Sequence, residues 1–491
     1  MWAEHFESLL NGVSNTQHKS SVCHEVSTIL YSDQMQVSYG EIASIIKDLP
    51  CGKSAGIDSI TAENLKYASD KVCNLLAMLL SAIFSHCYIP HAITEVVLIP
   101  LIKNRAGDIT DIDNYRPIAL ATIFSKVLEK ALLCRCELYL NTSDYQFAFK
   151  KNHGTDLCIF VFKEVVNYLS QGSPISCCFV DARKAFDNVN HWTLLRKLLE
   201  RQVLIYIVKL LLVWFSTQQF CVRWGSVTSR FFSVTNGVRQ GGIISPRLFN
   251  VYIDDLNRKL SSSGFGCNVG GTFINNLSYA DDMVLISPSV KGLRQLITVC
   301  EEFALDHDLS FNTKKTECMY FKPRASTLDI NPVVYLSGEK LAFVDRFKYL
   351  GHIISNNSSD DLDIKRQFRS LCTRANMIRR KFYNCSHDTK LILFKTYCTT
   401  LYTAELWSRY TKNEMKKMTV CYNNSFRWFL GYAGHCSASG MFAFNHVKSF
   451  PELIRVNTYG FITRLQKSTN GMIQIIINCD IRWTSRLWSS W

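Results

Sequence analysis

Asp281 and Asp282 stand side by side in Leu277–Ser287, with an apolar approach through Leu277 and Tyr279 and an apolar exit from Met283 to Ile286. This pattern predicts strand, tight turn, strand, because aspartate is a poor strand residue but a good turn residue. On their own the two carboxylates would mark an ordinary hairpin tip. With a third they could hold a hard cation such as magnesium. The third candidate is Asp181, which ends the continuous apolar run Ile175–Val180. Sheet enzymes commonly place their chemistry at such a strand end, although a helix cap is the plainer role for a lone aspartate there. Phe186 and Asp187 follow, on a turn leading into a helix around Trp192–Leu199. A look-alike, Tyr252-Ile253-Asp254-Asp255, is rejected as the metal site. There Leu248, Phe249, Tyr252, Ile253 and Leu256 recur with helical period, which puts both carboxylates on a helix.

The elements around these carboxylates carry further candidates. Asn236–Pro246 is a glycine loop that allows close backbone approach to a ligand, and Ser245-Pro246 starts a helix as N-cap and first residue. Gly52-Lys53-Ser54 invites a phosphate-loop reading, which fails because Lys47 occupies the position of the required upstream glycine. A basic turn of this kind can still meet phosphate through Lys53 and its backbone donors. After a strand at Val96–Ile99 and a polar turn containing Lys103, Arg116 precedes Pro117 and is therefore extended, projecting its guanidinium toward a phosphate or a carboxylate. Gln146–Thr155 mixes aromatics and cations as single-strand binders do. Lys315, after an amphipathic helix at Leu293–Leu305, could donate a proton to a leaving group, though surface lysines rarely do so. Three short strands are expected at Val333–Leu336, Leu341–Val344 and Phe347–Ile354. Helices with a basic bias follow, carrying Lys365, Arg366, Arg369, Arg374, Arg379, Arg380 and Lys381; a polyanion path or a solvated face would want such a run.

A chain of 491 residues with 47% hydrophobic content can bury a large core, which excludes a mainly disordered protein. Lys+Arg 55 against Asp+Glu 41 gives +14, which favours a polyanion partner without requiring one. The 19 cysteines include no Cys-x-x-Cys pair and many sit in apolar runs, so reduced core residues are expected rather than zinc ligands. Neither a signal peptide nor a membrane span is predicted, because the strongest apolar run, Val203–Phe215, is short and carries Lys209. A buried helix in an intracellular protein is expected there.

Taken in order, Lys53–Asp58, Asn114–Ile118, Asp181–Asp187, Gln240–Pro246 with Phe249 and Asn250, Tyr279–Asp282, Asn312–Thr316 and Tyr349-Leu350-Gly351 resemble the reverse transcriptase domain of non-LTR retrotransposons, the long interspersed elements. The resemblance covers about Ser38 to Ile354. It implies an α+β right-hand polymerase: an N-terminal helical connector (1–37), fingers (38–170), a palm of antiparallel sheet (171–358), a helical thumb (359–410) and a helical C-terminal region (411–491). That last region, with the earlier Trp407, includes Trp428, Trp483 and Trp488 as candidate nucleic-acid contacts. The implied activity is RNA-directed DNA synthesis with two magnesium ions, or manganese in their place, on Asp181, Asp281 and Asp282. The backbone carbonyl of Ala182 would assist. Phe186 matches a steric gate that selects deoxynucleotides, Gln240 and Gly241 would shape the nucleotide pocket, and Lys103 and Arg116 would contact the triphosphate. Lys315 matches a general acid. Tyr349, Leu350 and Gly351 are similar to a primer grip, and Lys53, Lys365, Arg366 and Arg369 would follow primer and template. The implied partners are an RNA template, a DNA primer or target, deoxynucleoside triphosphates and the element RNA in a ribonucleoprotein, with no membrane, in nucleus and cytoplasm.

The family usually has Phe-Gly-Phe-Arg and Ser-Thr where this chain has Phe147-Ala148-Phe149-Lys150 and Gly154-Thr155, departures that bear on the local template or nucleotide contact because lysine does not replace arginine's planar fork. The opening Trp2–Phe6 resembles the connector that follows the endonuclease in such elements; neither an endonuclease nor a Cys-His knuckle pattern is read in the chain. Two alternatives are a catalytically inactive nucleic-acid-binding relic and a group II intron maturase, which shares the Tyr-Ala-Asp-Asp turn but should carry a maturase helical region.

Overall fold

The computed structural model describes residues 1–13, 16–28, 35–323 and 332–479, so Trp483 and Trp488 lie outside the described residues. The chain forms two compact units, one of residues 1–143, 182–258 and 300–311 and the other of 144–181, 259–299 and 312–491.

The first unit is built on a mixed sheet. Glu95–Ile102 pairs antiparallel with Tyr115–Ala121 and parallel with Gln219–Trp224, which also pairs with the short strands Val227–Thr228 and Phe232–Ser233. Pro100 lies opposite Pro117. Neither proline has an N–H, so both fit a pair that exchanges no backbone hydrogen bonds. Arg116 is extended, as its proline neighbour predicts. The N-terminal helix Trp2–Leu9 covers this sheet with Phe6 and Leu10 against Val96, Leu98, Phe220 and Val234. Trp2 seals the edge between Tyr115 and Trp224, with ring centroids 4.8 and 5.4 Å away. Val203–Phe215 contributes the helix Ile205–Thr217, its buried face formed by Ile207, Val208, Leu210, Leu211 and Trp214.

The helix Ser245–Ser262 bears out the rejection of Asp254 and Asp255. Asp254 is fully buried and neutralised by Arg201 at 2.6 Å and Arg258 at 3.0 Å, while Asp255 pairs with Lys197. Both carboxylates are engaged in holding helices together.

The second unit contains a five-stranded sheet with Ile175–Asp181 at its centre, in the order Ala342–Phe343, Glu317–Phe321, Ile175–Asp181, Asp282–Ser287, Asn276–Tyr279. The central strand is antiparallel to both neighbours. Residues Ile175–Val180 are buried on both faces, as in a doubly covered strand. Phe179 stacks on Phe347 at 4.1 Å and packs with Phe162 of the buried helix Thr155–Leu169. Arg346–Tyr349 and His352–Ser355 form a hairpin, and the expected strand at Val333–Leu336 is half of a second, Tyr335–Leu336 with Glu339–Lys340. The long helix Asp361–Phe382 then opens a helical core with Lys412–Leu430 and Phe450–Gln466, centred on Leu371, Phe394, Tyr422 and Phe426. All 19 cysteines are free thiols, and among the described residues no helix is long and apolar enough to cross a membrane.

Candidate active site

Asp282 lies directly opposite Asp181 in the antiparallel pairing, and it also faces Tyr279 across the hairpin. Only Ala280 and Asp281 remain to make the turn. Residues opposite one another put their side chains on one face with Cβ atoms about 5 Å apart, where two like charges repel unless a cation intervenes. Asp181 is half-buried, whereas Asp281 and Asp282 are exposed. The strand end is pinned from the following segment: the Asp181 N–H donates to the buried Thr316 hydroxyl at 3.2 Å, and its carbonyl accepts from the Asn312 N–H at 2.7 Å. Lys315 is exposed on the turn that these two residues bound.

The charge of Asp282 reaches inward. Burial pushes the Cys158 thiol up to about 12, despite its contact with the Tyr349 hydroxyl at 3.3 Å, and Asp282 adds to the rise. The Tyr349 hydroxyl is held well above its ordinary value by burial, then by Cys158 and Asp282. All-oxygen donors on opposed strand ends suit a hard cation that keeps part of its hydration and borrows phosphate oxygens, as magnesium does. Among the described residues no group of three or more His, Cys, Asp or Glu side chains is gathered closely enough to hold a metal ion. The protein therefore offers an opposed pair with one neighbouring carboxylate, and not a complete cage.

Tyr349-Leu350-Gly351-His352 is a tight turn with φ +45° at Leu350 and +85° at Gly351. Two successive positive φ values are the pattern of a type I′ hairpin, for which leucine is ill suited. The Tyr402 hydroxyl steadies it, donating to the Leu350 carbonyl and lying 2.7 Å from the Thr155 hydroxyl. A Cβ on Gly351 would come within 2.9 Å of the Tyr402 ring. Gly351→Ala is therefore expected to cost about 1 to 3 kcal/mol in urea denaturation, and Tyr402→Phe about 1 kcal/mol. The turn's own backbone is all that Tyr349 can offer a primer, because its side chain is buried in the core. Phe147 and Ala148 are likewise fully buried, which leaves Phe149 as the exposed phenylalanine of Gln146–Thr155 and takes Phe147 out of the single-strand-binder reading.

Beneath this turn the fully buried His352 lies between Asp360 and Asp363. Lys163 meets Asp360 at 2.5 Å, while Trp407 and Arg366 donate to Asp363 at 2.9 and 2.7 Å. Trp407 is thus a buried strut rather than a nucleic-acid contact, and Arg366 is half-buried in the same network. Lys365, Arg369 and Trp428 are exposed.

The first unit holds the other candidates. Phe186 stacks on Phe249 at 4.2 Å, and its carbonyl accepts from the Val238 N–H at 2.9 Å. Gly241, with φ +118°, has its Cα so close to the neighbouring strand that a Cβ would meet the Ala119 carbonyl at 2.9 Å. The Gln240 carbonyl accepts from Ala119 N–H at 2.8 Å, and its side chain donates to Asp187 at 2.7 Å. Lys103 donates to the Asp113 carbonyl at 2.8 Å, and burial followed by the nearby Lys184 lowers its pKa. Arg116 and Lys53 are exposed, and Ala182 pairs in an isolated bridge with Phe311.

Asp187 had no assigned role in the sequence, although its adjacency to Phe186 was a signal. It is buried, and burial raises its carboxyl to about 6, against the lowering effects of Gln240, Lys103, Lys184 and Arg116. A carboxyl raised in the folded state favours folding when protonated, so its contribution is full below its ordinary value and is lost as pH rises through about 6. Urea denaturation of Asp187→Asn should lack this fall in stability, a difference of about 3 kcal/mol across the window.

The family model described as reverse transcriptase (RNA-dependent DNA polymerase) matches residues 102–354, just over half of the chain and all of both carboxylate-bearing elements. The chain belongs to the reverse transcriptase family. The RNA-directed DNA polymerase from mobile element jockey of Drosophila funebris is 24% identical over 379 residues, covering 73% of this chain and 40% of that protein. The Pol polyprotein from the type-1 retrotransposable element R2 of Popillia japonica is 28% identical over 278 residues, covering 54% of this chain and 38% of that protein. The resemblance to the non-LTR reverse transcriptases is thereby borne out, and the chain spans about two fifths of the length of these relatives. Telomerase from Candida albicans aligns with a TM-score of 0.39 at 10% identity, covering 73% of this chain and 66% of that one, a likeness too slight to add to the assignment.

Proposed function

We propose that this reverse transcriptase extends a DNA primer on an RNA template, using deoxynucleoside triphosphates. The observation that carries the reading is the register placing Asp282 opposite Asp181, with Asp281 on the adjoining turn. Asp181 and Asp281 would hold two divalent cations, magnesium or manganese, with support from Asp282 and the Ala182 carbonyl. Such ions, when bound, acidify the attacking hydroxyl and neutralise charge at the transferred phosphate. The rest is the work of side chains. Phe186, its ring fixed by Phe249, would exclude a 2′-hydroxyl; Gln240 and Gly241 would shape the nucleotide pocket; Lys103 and Arg116 would meet the triphosphate through charge-assisted hydrogen bonds. Lys315 would give a proton to the departing pyrophosphate.

In this reading, residues 38–170 supply fingers, 171–358 the palm and 359–410 the thumb. Lys53, Lys365 and Arg369 would neutralise template and primer phosphates, and the backbone at Leu350-Gly351 would steady the primer end. The test is extension of a DNA primer by the purified chain on an RNA template with divalent cation. Extension by deoxynucleotides, and poor use of ribonucleotides, is expected. Binding of primer-template without extension would mark an inactive relic and overturn the proposal.

A further inference from the structure

The turn that presents Asp281 is held by one side chain from far away in the sequence. Gln146 is fully buried. Its side-chain oxygen accepts from the N–H of Ala280 at 2.9 Å and from that of Ala148 at 3.0 Å, while its side-chain nitrogen donates to the Ala280 carbonyl at 3.4 Å. One amide thus closes on both backbone polar groups of the single residue between Tyr279 and Asp281. Two N–H groups converge on the same atom, which fixes that atom as the oxygen and the amide in one orientation. The backbone reinforces this: Phe147 N–H donates to the Ser278 carbonyl at 2.9 Å, and Ser278 N–H to the Tyr145 carbonyl at 2.8 Å.

Ala280 needs the help. It has φ +58° and is buried, a left-handed conformation that costs a residue with a Cβ and that glycine or asparagine normally fills in a two-residue hairpin. Its N–H and carbonyl have no ladder partner, so without Gln146 both would be buried and unsatisfied. Relief of strain and of that penalty would come from rotating the Ala280–Asp281 peptide, which redirects the Asp281 side chain.

We propose that Gln146 is a positioning residue, whose amide locks the Ala280 peptide so that Asp281 leaves the turn toward the cation that the carboxylates are to hold. This rests on the polymerase reading above. Methionine at 146 keeps the volume but neither donates nor accepts. Glutamate reproduces the amide only when its carboxyl is protonated, since only then can it accept from one Ala280 group and donate to the other.

The experiment uses the full chain, with Gln146→Met, Gln146→Glu and Asp281→Asn beside the unsubstituted protein. The readouts are kcat and KM for single-deoxynucleotide incorporation, and the affinity for Mn2+ alone, read from the Mn2+-dependent shift in melting temperature. Gln146→Met is expected to lose kcat by about ten- to a hundredfold, as misplacement of a reacting group by roughly 1 Å does, with little change in KM and with weaker Mn2+ affinity. The rate of Gln146→Glu, as a ratio to the unsubstituted chain, should fall as pH rises. Normal kcat and Mn2+ affinity in Gln146→Met, with both lost in Asp281→Asn, would overturn the role of Gln146 alone, as would a flat pH ratio for a folded Gln146→Glu. If Asp281→Asn loses neither, the polymerase reading itself fails and this proposal with it.

Discussion

Asp281→Asn is expected to reduce RNA-templated extension by about a thousandfold or more, because in the proposed mechanism Asp281 holds a cation, and its loss would forfeit several kcal/mol of transition-state stabilisation. Folding should survive intact. Asp281 is exposed on a turn, and an amide there removes a like charge next to the Asp181–Asp282 pair. The melting temperature without divalent cation should therefore hold or rise slightly, while the cation-dependent increment shrinks. Activity and stability moving in opposite directions is the signature of a carboxylate kept for chemistry. A variant that melts early would instead mean that Asp281 is a structural cap.

The second large effect is expected at Glu129, in the first unit. Glu129 and Arg239 are both buried, 3.5 Å apart. Burial acts on both: it raises the Glu129 carboxyl and lowers Arg239 to about 10, so desolvation outweighs their mutual attraction. Such a pair adds little net stability, but losing one member strands the other. Here the stranded group would be Arg239, which otherwise meets, among the described residues, the Ser125 hydroxyl at 2.8 Å, the Gln218 side chain at 3.3 Å and the face of Trp214. Glu129 also accepts from the backbone N–H groups of Ile243 and Ile244, immediately before the helix at Ser245. Glu129→Leu is thus expected to cost about 3 to 5 kcal/mol in urea denaturation. Adding Arg239→Met should recover a large part of that, and full additivity of the two losses would contradict the pairing.

These two sites differ in how far the sequence discloses them. The carboxylate hairpin was legible, because period-two apolar flanks and the poor strand propensity of aspartate are local signals. The rejection of Asp254-Asp255 was equally local, resting on helical period. Glu129 gave no signal, since a glutamate within a helical run reads as a solvated position and its partner is more than a hundred residues on. The aromatics misled for the same reason. Phe147 sits among lysines in the chain but is drawn into the core by pairing of its neighbour Gln146 with Ser278, and Trp407 is turned inward by Asp363. Tyr349 belongs to a motif read as facing the primer, yet strand alternation buries its ring against Phe162 and Phe179. Motif order disclosed the family; which face each side chain takes was decided by long-range pairing.

Metal-directed cleavage locates the bound cation. Fe2+ substituted for magnesium, with ascorbate and peroxide, cleaves the backbone beside its own binding site. Cuts are expected at the end of the strand Ile175–Asp181 and at the turn Ala280-Asp281, both suppressed by magnesium and both absent in Asp281→Asn. Cleavage elsewhere in a chain that still extends primers would contradict this placement of the cation.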